Sequence, residues 1–164
     1  MAPPAVTFYT IVLAVHIIAV VVAFGVTFAY PVMYAVGVRM EPHAMPALHR
    51  IQDHVGKRVI SPGMVLVLAA GVYLASKLSV WSDFYVQWGF GAIIVLGGLG
   101  GAFFSPRERR LAKLAERDIA ASGEGEIVFS EEYRALRRQV LTVGLLANAL
   151  VLVTIYFMVA QTGA

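Results

Sequence analysis

Residues 1–38 of this chain contain no Asp, Glu, Lys or Arg, and the same is true of 59–76, 84–106 and 140–164. An apolar, charge-free run of about 18 residues or more is long enough to cross a bilayer, because ~20 residues rising ~1.5 Å each cover the ~30 Å hydrocarbon core. Four such runs use most of the 164 residues and leave no room for a separate soluble catalytic domain. Charged residues make up 14% of the chain, against about 25% in a soluble domain, and the deficit falls in these runs. The expected fold is all-α: one integral membrane four-helix bundle over 1–164, with spans at about 6–30, 59–76, 84–104 and 140–160.

Prolines and glycines punctuate the spans. Pro31 is expected to kink or end the first, and Ser61-Pro62-Gly63 to bend the second near its start. Before that span, Met45, Leu48, Ile51, Val55 and Val59 recur at spacings of three or four, the apolar stripe of an amphipathic helix leading into the membrane. The third span ends in Gly97-Gly98-Leu99-Gly100-Gly101, whose small residues suit close helix packing, with a slot for a flat cofactor as the other reading. Ser105-Pro106-Arg107-Glu108 has the form of a capping box and predicts a new, charged helix from Arg107 to about Ala121, broken by Gly123 and Gly125. Ser130 can cap the last helix.

Orientation follows from Lys and Arg alone. Arg39, Arg50, Lys57 and Arg58 lie between spans one and two, eight more lie between Arg107 and Arg138, and Lys77 stands by itself between spans two and three. The positive-inside rule places the two rich loops in the cytoplasm and both termini outside, so the charged helix between spans three and four is cytoplasmic. Trp81, Tyr85 and Trp88 then suit an aromatic belt at the outer interface. The net charge of +3 is accounted for by these loops, so nucleic acid is not an expected partner. The first run is far longer than a signal core and lacks a basic lead, so it reads as a span.

His16 is the one histidine within a span, about ten residues into the first. An ionisable group at that depth points to function. At 100° per residue, Tyr9, Thr27, Tyr30 and Tyr34 share its face, while Ile11, Ile18 and Val22 lie opposite and suit lipid. An inward imidazole can ligate a haem, or it can hydrogen-bond a neighbouring helix and hold the bundle together; a proton relay or substrate contact is a third use. Asn148 is the side-chain amide buried in span four. Residue counting puts it level with His16, where a bond to the imidazole would fix the tautomer of a ligating histidine. His49 and His54 sit with Asp53 and Lys57 on the polar side of the amphipathic helix, where (i, i+4) neighbours are ordinarily solvated charges. Met40, His43 and Met45 offer soft ligands of the kind Cu(I) accepts, though a loop with this composition is usually only a loop. With no cysteine there are no disulfides or thiolate sites, and GxxxxGK[ST], HExxH and GxSxG are absent.

Several stretches taken together resemble a bacterial group of four-helix membrane proteins. These are Ala14-Val15-His16, Leu48-His49-Arg50-Ile51, Ile60-Ser61-Pro62-Gly63-Met64, Gly71-Val72-Tyr73-Leu74 and Trp88. The group includes the CopD-type copper-resistance domain, the HemJ-type protoporphyrinogen oxidase and uncharacterised predicted integral membrane proteins, and the chain looks closest to the last. The resemblance implies a multi-pass protein of the bacterial inner membrane with haem b between its helices, His16 as the metal ligand and a redox role. The HemJ-type pattern expects a lysine opening the third span, where this chain has Tyr85-Val86-Gln87-Trp88, so protoporphyrinogen oxidation itself is not implied. The rival expectation is a non-catalytic bundle that serves as an accessory subunit or passes a small solute or metal. Expected partners are membrane lipid and a second copy or a larger membrane complex.

Overall fold

The computed structural model describes residues 7–163, so the expected start of span one at Val6 lies outside the described residues. It is a bundle of four helical rods, Phe8–Met40, Pro42–Leu78, Phe84–Ser122 and Glu131–Ala160, each long and apolar enough to cross a membrane. No strand occurs among the described residues. The chain is therefore a multi-pass helical membrane protein.

Within the rods the regular segments are α1 (Phe8–Gly25), α2 (Tyr30–Met40), α3 (Met45–Val55), α4 (Ser61–Leu78), α5 (Phe84–Gly98), α6 (Ser105–Ser122) and α7 (Glu131–Ala160). Three joints fall immediately before a proline's turn. A 3-10 turn, Val26–Ala29, precedes Tyr30-Pro31; a π turn, Gly56–Ile60, precedes Ser61-Pro62; a second π turn, Leu99–Phe104, precedes Ser105-Pro106. Proline lacks the amide hydrogen that would bond four residues back, and its ring pushes that carbonyl away. Tightening or widening the preceding turn lets the rod continue. Pro31 thus does not end the first rod, which α2 continues to Met40.

The same effect overturns the expected capping box. Ser105 has helical torsions (φ −55°, ψ −47°) and makes no side-chain cap. Its hydroxyl donates across to Asp53 Oδ1 at 2.6 Å instead, and Glu108 turns inward. The charged helix forms where expected but continues the third rod. Ser130 does cap α7: its Oγ accepts from the Tyr133 amide at 3.3 Å, and Asp118 Oδ2 accepts from the Ser130 amide at 2.8 Å. Burial works to raise the Asp118 carboxyl pKa, but the Ser130 bonds and the adjacent Arg117 outweigh it and hold the group below its ordinary range.

Small residues bring α1 and α4 together. Ala19 and Ala23 are buried, and a Cβ on Gly63 would lie 2.8 Å from the Ala23 Cβ. The glycine run at 97–101 behaves otherwise. A Cβ at Gly97 would meet Met64 Cε at 3.1 Å, but at Gly98, Gly100 and Gly101 it would meet nothing within 4 Å. Close packing, the ordinary meaning of such a run, is realised at Gly63 and not here.

The two ends of the bundle differ in composition. One carries the Trp81 and Trp88 turn and is called the aromatic end. The other holds α2, α3, α6 and the start of α7, and is called the charged end. The largest buried cluster, including Tyr34, Met45, Leu111, Leu114, Phe129 and Tyr133, lies at the charged end.

Candidate functional site

The amphipathic stripe expected on α3 is borne out at Met45 and Leu48, which pack in the core, and not at Ile51. Met45, His49 and Gln52 face the interior, whereas Ile51 is 59% exposed. Gln52 and His49 turn inward because their hydrogen-bond partners Tyr34, Glu108 and Tyr133 stand on the neighbouring helices. His49, read from the sequence as a solvated surface group, is instead fully buried. His54 is exposed as expected.

Five side chains from four helices meet around it. His49 Nδ1 lies 2.7 Å from Glu108 Oε2, and His49 Nε2 lies 2.9 Å from the Tyr133 hydroxyl. The Tyr34 hydroxyl lies 2.5 Å from Glu108 Oε1 and 2.6 Å from Gln52 Oε1. Tyr34 has one hydrogen for two acceptor oxygens. The Tyr34 hydroxyl shares that hydrogen between Glu108 Oε1 and Gln52 Oε1, and His49 bridges Glu108 to the Tyr133 hydroxyl through its two ring nitrogens. A connected chain of this kind gives each hydroxyl, ring nitrogen and carboxyl oxygen in it a partner.

One donor in this cluster has no protein partner. Gln52 Nε2 is buried without a hydrogen bond, as is the nearby Tyr30 hydroxyl. The 2.6 Å contact to Tyr34 is short for N–H···O and ordinary for O–H···O, which keeps the amide oxygen on Tyr34 and the nitrogen free. Both Gln52 and Tyr30 line a cavity of about 570 Å³, together with Tyr34, Glu108, the glycines at 97, 98, 100 and 101, and, at its charged rim, Asp53 and Lys57. Both π turns border it, and such turns are frequent where a helix wall serves a site. Lys57 pairs with Asp53 at 2.5 Å. Burial acts to raise the Asp53 carboxyl pKa, but the bonds from Lys57 and Ser105 lower it more, and the net displacement is downward.

His16 occupies a second cavity of about 490 Å³ toward the aromatic end, beside Tyr9, Gly71, Gly89 and Met158. As expected from its helix face, it points inward while Ile11, Ile18 and Val22 are exposed. Its Nδ1 donates to the Val67 carbonyl of α4 at 3.1 Å. No hydrogen bond to Nε2 occurs among the described residues. Gly71 lies against the ring, since a Cβ there would be 3.5 Å from His16 Cε1.

The bond expected between His16 and Asn148 is not made. Asn148 Oδ1 accepts from the Thr27 hydroxyl at 2.7 Å and Nδ2 donates to the Thr27 carbonyl at 3.3 Å. Asn148 lines the charged-end cavity, not that of His16. Residue counting misplaced it because it assumed that the first and last spans end level. In fact Val151 packs on Phe24, so the last rod meets the first well below its start. The soft-ligand trio also disperses: Met45 is buried in the charged-end core, whereas Met40 and His43 are exposed. Among the described residues no group of three or more His, Asp or Glu side chains is placed to hold a metal ion.

Comparison with protein-family models, curated proteins and solved structures returns no match.

Proposed function

We propose that this is a four-span protein of the bacterial inner membrane that holds haem b or a related porphyrin between its helices in a redox role, with His16 as the ligand. Its termini lie outside and α6 lies in the cytoplasm, on the strength of the basic-residue asymmetry. The observation that carries the cofactor reading is the state of His16. Donation from Nδ1 to Val67 selects the tautomer with a lone pair on Nε2, the arrangement that ligating histidines use. That nitrogen belongs to a residue lining an apolar, membrane-depth cavity. The imidazole and the apolar lining suit a porphyrin ring, whereas among the described residues no Lys or Arg lines the cavity to meet propionate groups. An iron porphyrin held there would supply one-electron chemistry. The protein's own contribution is to orient the imidazole through Val67 and to exclude water with Leu13, Val20 and Phe90.

The purified protein should show a Soret band after growth with added haem, and His16→Ala should abolish it while the helical content is retained. A wild-type protein without a band ends the reading, and a band unchanged in His16→Ala moves the ligand elsewhere.

A second reading, passage of a small solute, is favoured by one feature. The two cavities share a wall formed by Phe24, Leu68, Ile93, Leu96 and Val151, so an apolar constriction separates chambers that follow one another through the bundle.

A further inference from the structure

We propose that the charged-end cavity binds a membrane-soluble molecule with a flat, neutral carbonyl head, a lipophilic quinone, with the Gln52 side-chain amide and the Tyr30 hydroxyl as its donors. The site differs from that of His16 and does not depend on it.

Four observations define the occupant. The cavity, at about 570 Å³, has the size of a small-molecule site. Its free polar atoms are Gln52 Nε2, on a residue only 5% exposed, and the Tyr30 hydroxyl. An amide N–H₂ whose oxygen is already committed to Tyr34 can only donate, so the group it meets must accept. Leaving such a donor buried and unmet is costly, which is why a partner is expected at this position.

The acceptor must also be uncharged. Lys57 is the cation among the lining residues, and Asp53 neutralises it. A phosphate or free carboxylate would therefore meet no unpaired positive charge, and Glu108 lies on the same wall. A carbonyl oxygen satisfies both demands.

The head must be flat. Gly98, Gly100 and Gly101 line the cavity, and a Cβ on any of them would project into open space. This gives one stretch of lining without side chains, at the end of α5 and in the π turn, in a cavity that Tyr30 and Tyr34 also line. A conjugated ring can lie on such a wall, and a hydrocarbon tail can follow the apolar remainder toward Val65 and Ile94, both exposed on the lipid side.

The test is equilibrium binding of a decyl-substituted 1,4-benzoquinone to the full chain in phosphatidylcholine nanodiscs, with empty nanodiscs as the background for partitioning. The wild type should show saturable uptake above that background. Tyr30→Phe removes a hydroxyl that has no protein partner, so it should leave thermal stability unchanged and weaken binding about fivefold, the worth of one hydrogen bond. Gly101→Leu fills the bare wall and should remove saturable uptake. His16→Ala should bind as the wild type does, so a failed haem reading leaves this one standing and the reverse holds too. Uptake by the wild type no greater than by empty nanodiscs would overturn the proposal. So would equal affinity of Gly101→Leu and wild type, or displacement of the quinone by decylbenzene at the same concentration, which would show that the carbonyl is not recognised.

Discussion

The two ends of this bundle follow opposite packing rules. At the aromatic end the buried residues are mostly small, among them Ala19, Ala23, Ala70 and Ala92, while Ile18, Val21, Leu66 and Ile94 face outward. At the charged end Met45, Leu111 and Tyr133 are fully buried, and the outer surface is laced with ion pairs such as Arg50–Glu116 and Arg110–Glu132. The difference is one of solvent. Against water, large apolar side chains gain about 25 cal/mol per Å² by moving inside. Against lipid they gain almost nothing, and close backbone approach through small residues takes over. The polar cluster of Tyr34, His49, Gln52, Glu108 and Tyr133 sits among the large side chains of the charged end, where its bonds are buried.

That placement is broken most severely by removing the group at its centre. Glu108 joins Tyr34 and His49, so Glu108→Ala leaves the buried His49 Nδ1 unmet, while Tyr34 loses one bond and keeps Gln52. The stranded imidazole nitrogen costs about 1–3 kcal/mol and the lost Tyr34 bond about 0.5–1.5 kcal/mol, for a combined loss of about 1.5–4.5 kcal/mol. Glu108→Gln sharpens the point. If the carboxyl acts as a neutral donor and acceptor, the amide can donate to Tyr34 and accept from His49, and the loss stays below about 1 kcal/mol. An ionised carboxylate paired with a charged imidazole would make Gln far more damaging, at about 3–5 kcal/mol. Denaturant titration in mixed micelles, followed by circular dichroism, measures both variants.

Much of the lipid-facing half could be read from the sequence, because the absence of charge is a strong and local signal. The number of spans followed from it, and the helix wheel then gave the inward face of His16 with Tyr9, Thr27, Tyr30 and Tyr34. The charged-end cluster could not be read in the same way. Its members come from four helices, and a polar residue on an amphipathic helix is ordinarily on the water side. The available signal was the line Met45, His49, Gln52 at spacings of four and three, which competes with the more apolar line through Leu48 and Ile51. Hydropathy favoured the second line, and the first faces inward because partners on three other helices meet it there. The π turns were hidden for another reason: Ser-Pro reads equally as a helix start or as a widened turn within a rod, and tertiary contacts from Asp53 and Tyr34 decide which.

The glycines sharpen the comparison at intermediate cost. Gly63→Ala places a methyl group 2.8 Å from the Ala23 Cβ, between two backbones that cannot both stay in place. Overpacking of this kind costs about 1–3 kcal/mol. Gly98→Ala meets open space within a helix, and the gain in helix propensity over glycine should make it neutral or stabilising by up to about 1 kcal/mol. The paired thermal shifts should have opposite signs. Equal destabilisation would mean that the glycine run at 97–101 packs as tightly as Gly63 does.

The smallest effect concerns Asn148, which bridges the two regimes from α7. Its amide makes two bonds to Thr27, one to the hydroxyl and one to the backbone carbonyl. The Thr27 hydroxyl also contacts the Phe24 carbonyl at 2.7 Å, so removing Asn148 leaves it a second acceptor within its own helix. The hydroxyl is therefore not stranded, and the loss is confined to the inter-helix bond. Hydrogen bonds between membrane helices average about 0.6 kcal/mol and reach about 1.7 kcal/mol, because the unfolded helices find other partners in the bilayer. A double-mutant cycle with Thr27→Val and Asn148→Leu should give a coupling within that range. Thr27→Val keeps the backbone carbonyl, so the cycle reads the hydroxyl bond by itself. The matching cycle of His16→Ala with Asn148→Leu should give zero within error, since each residue lines a different cavity and they share no bond. Coupling to His16 as large as coupling to Thr27 would mean that the two ends communicate through the wall at Phe24 and Val151, and the division into two regimes would have to be abandoned.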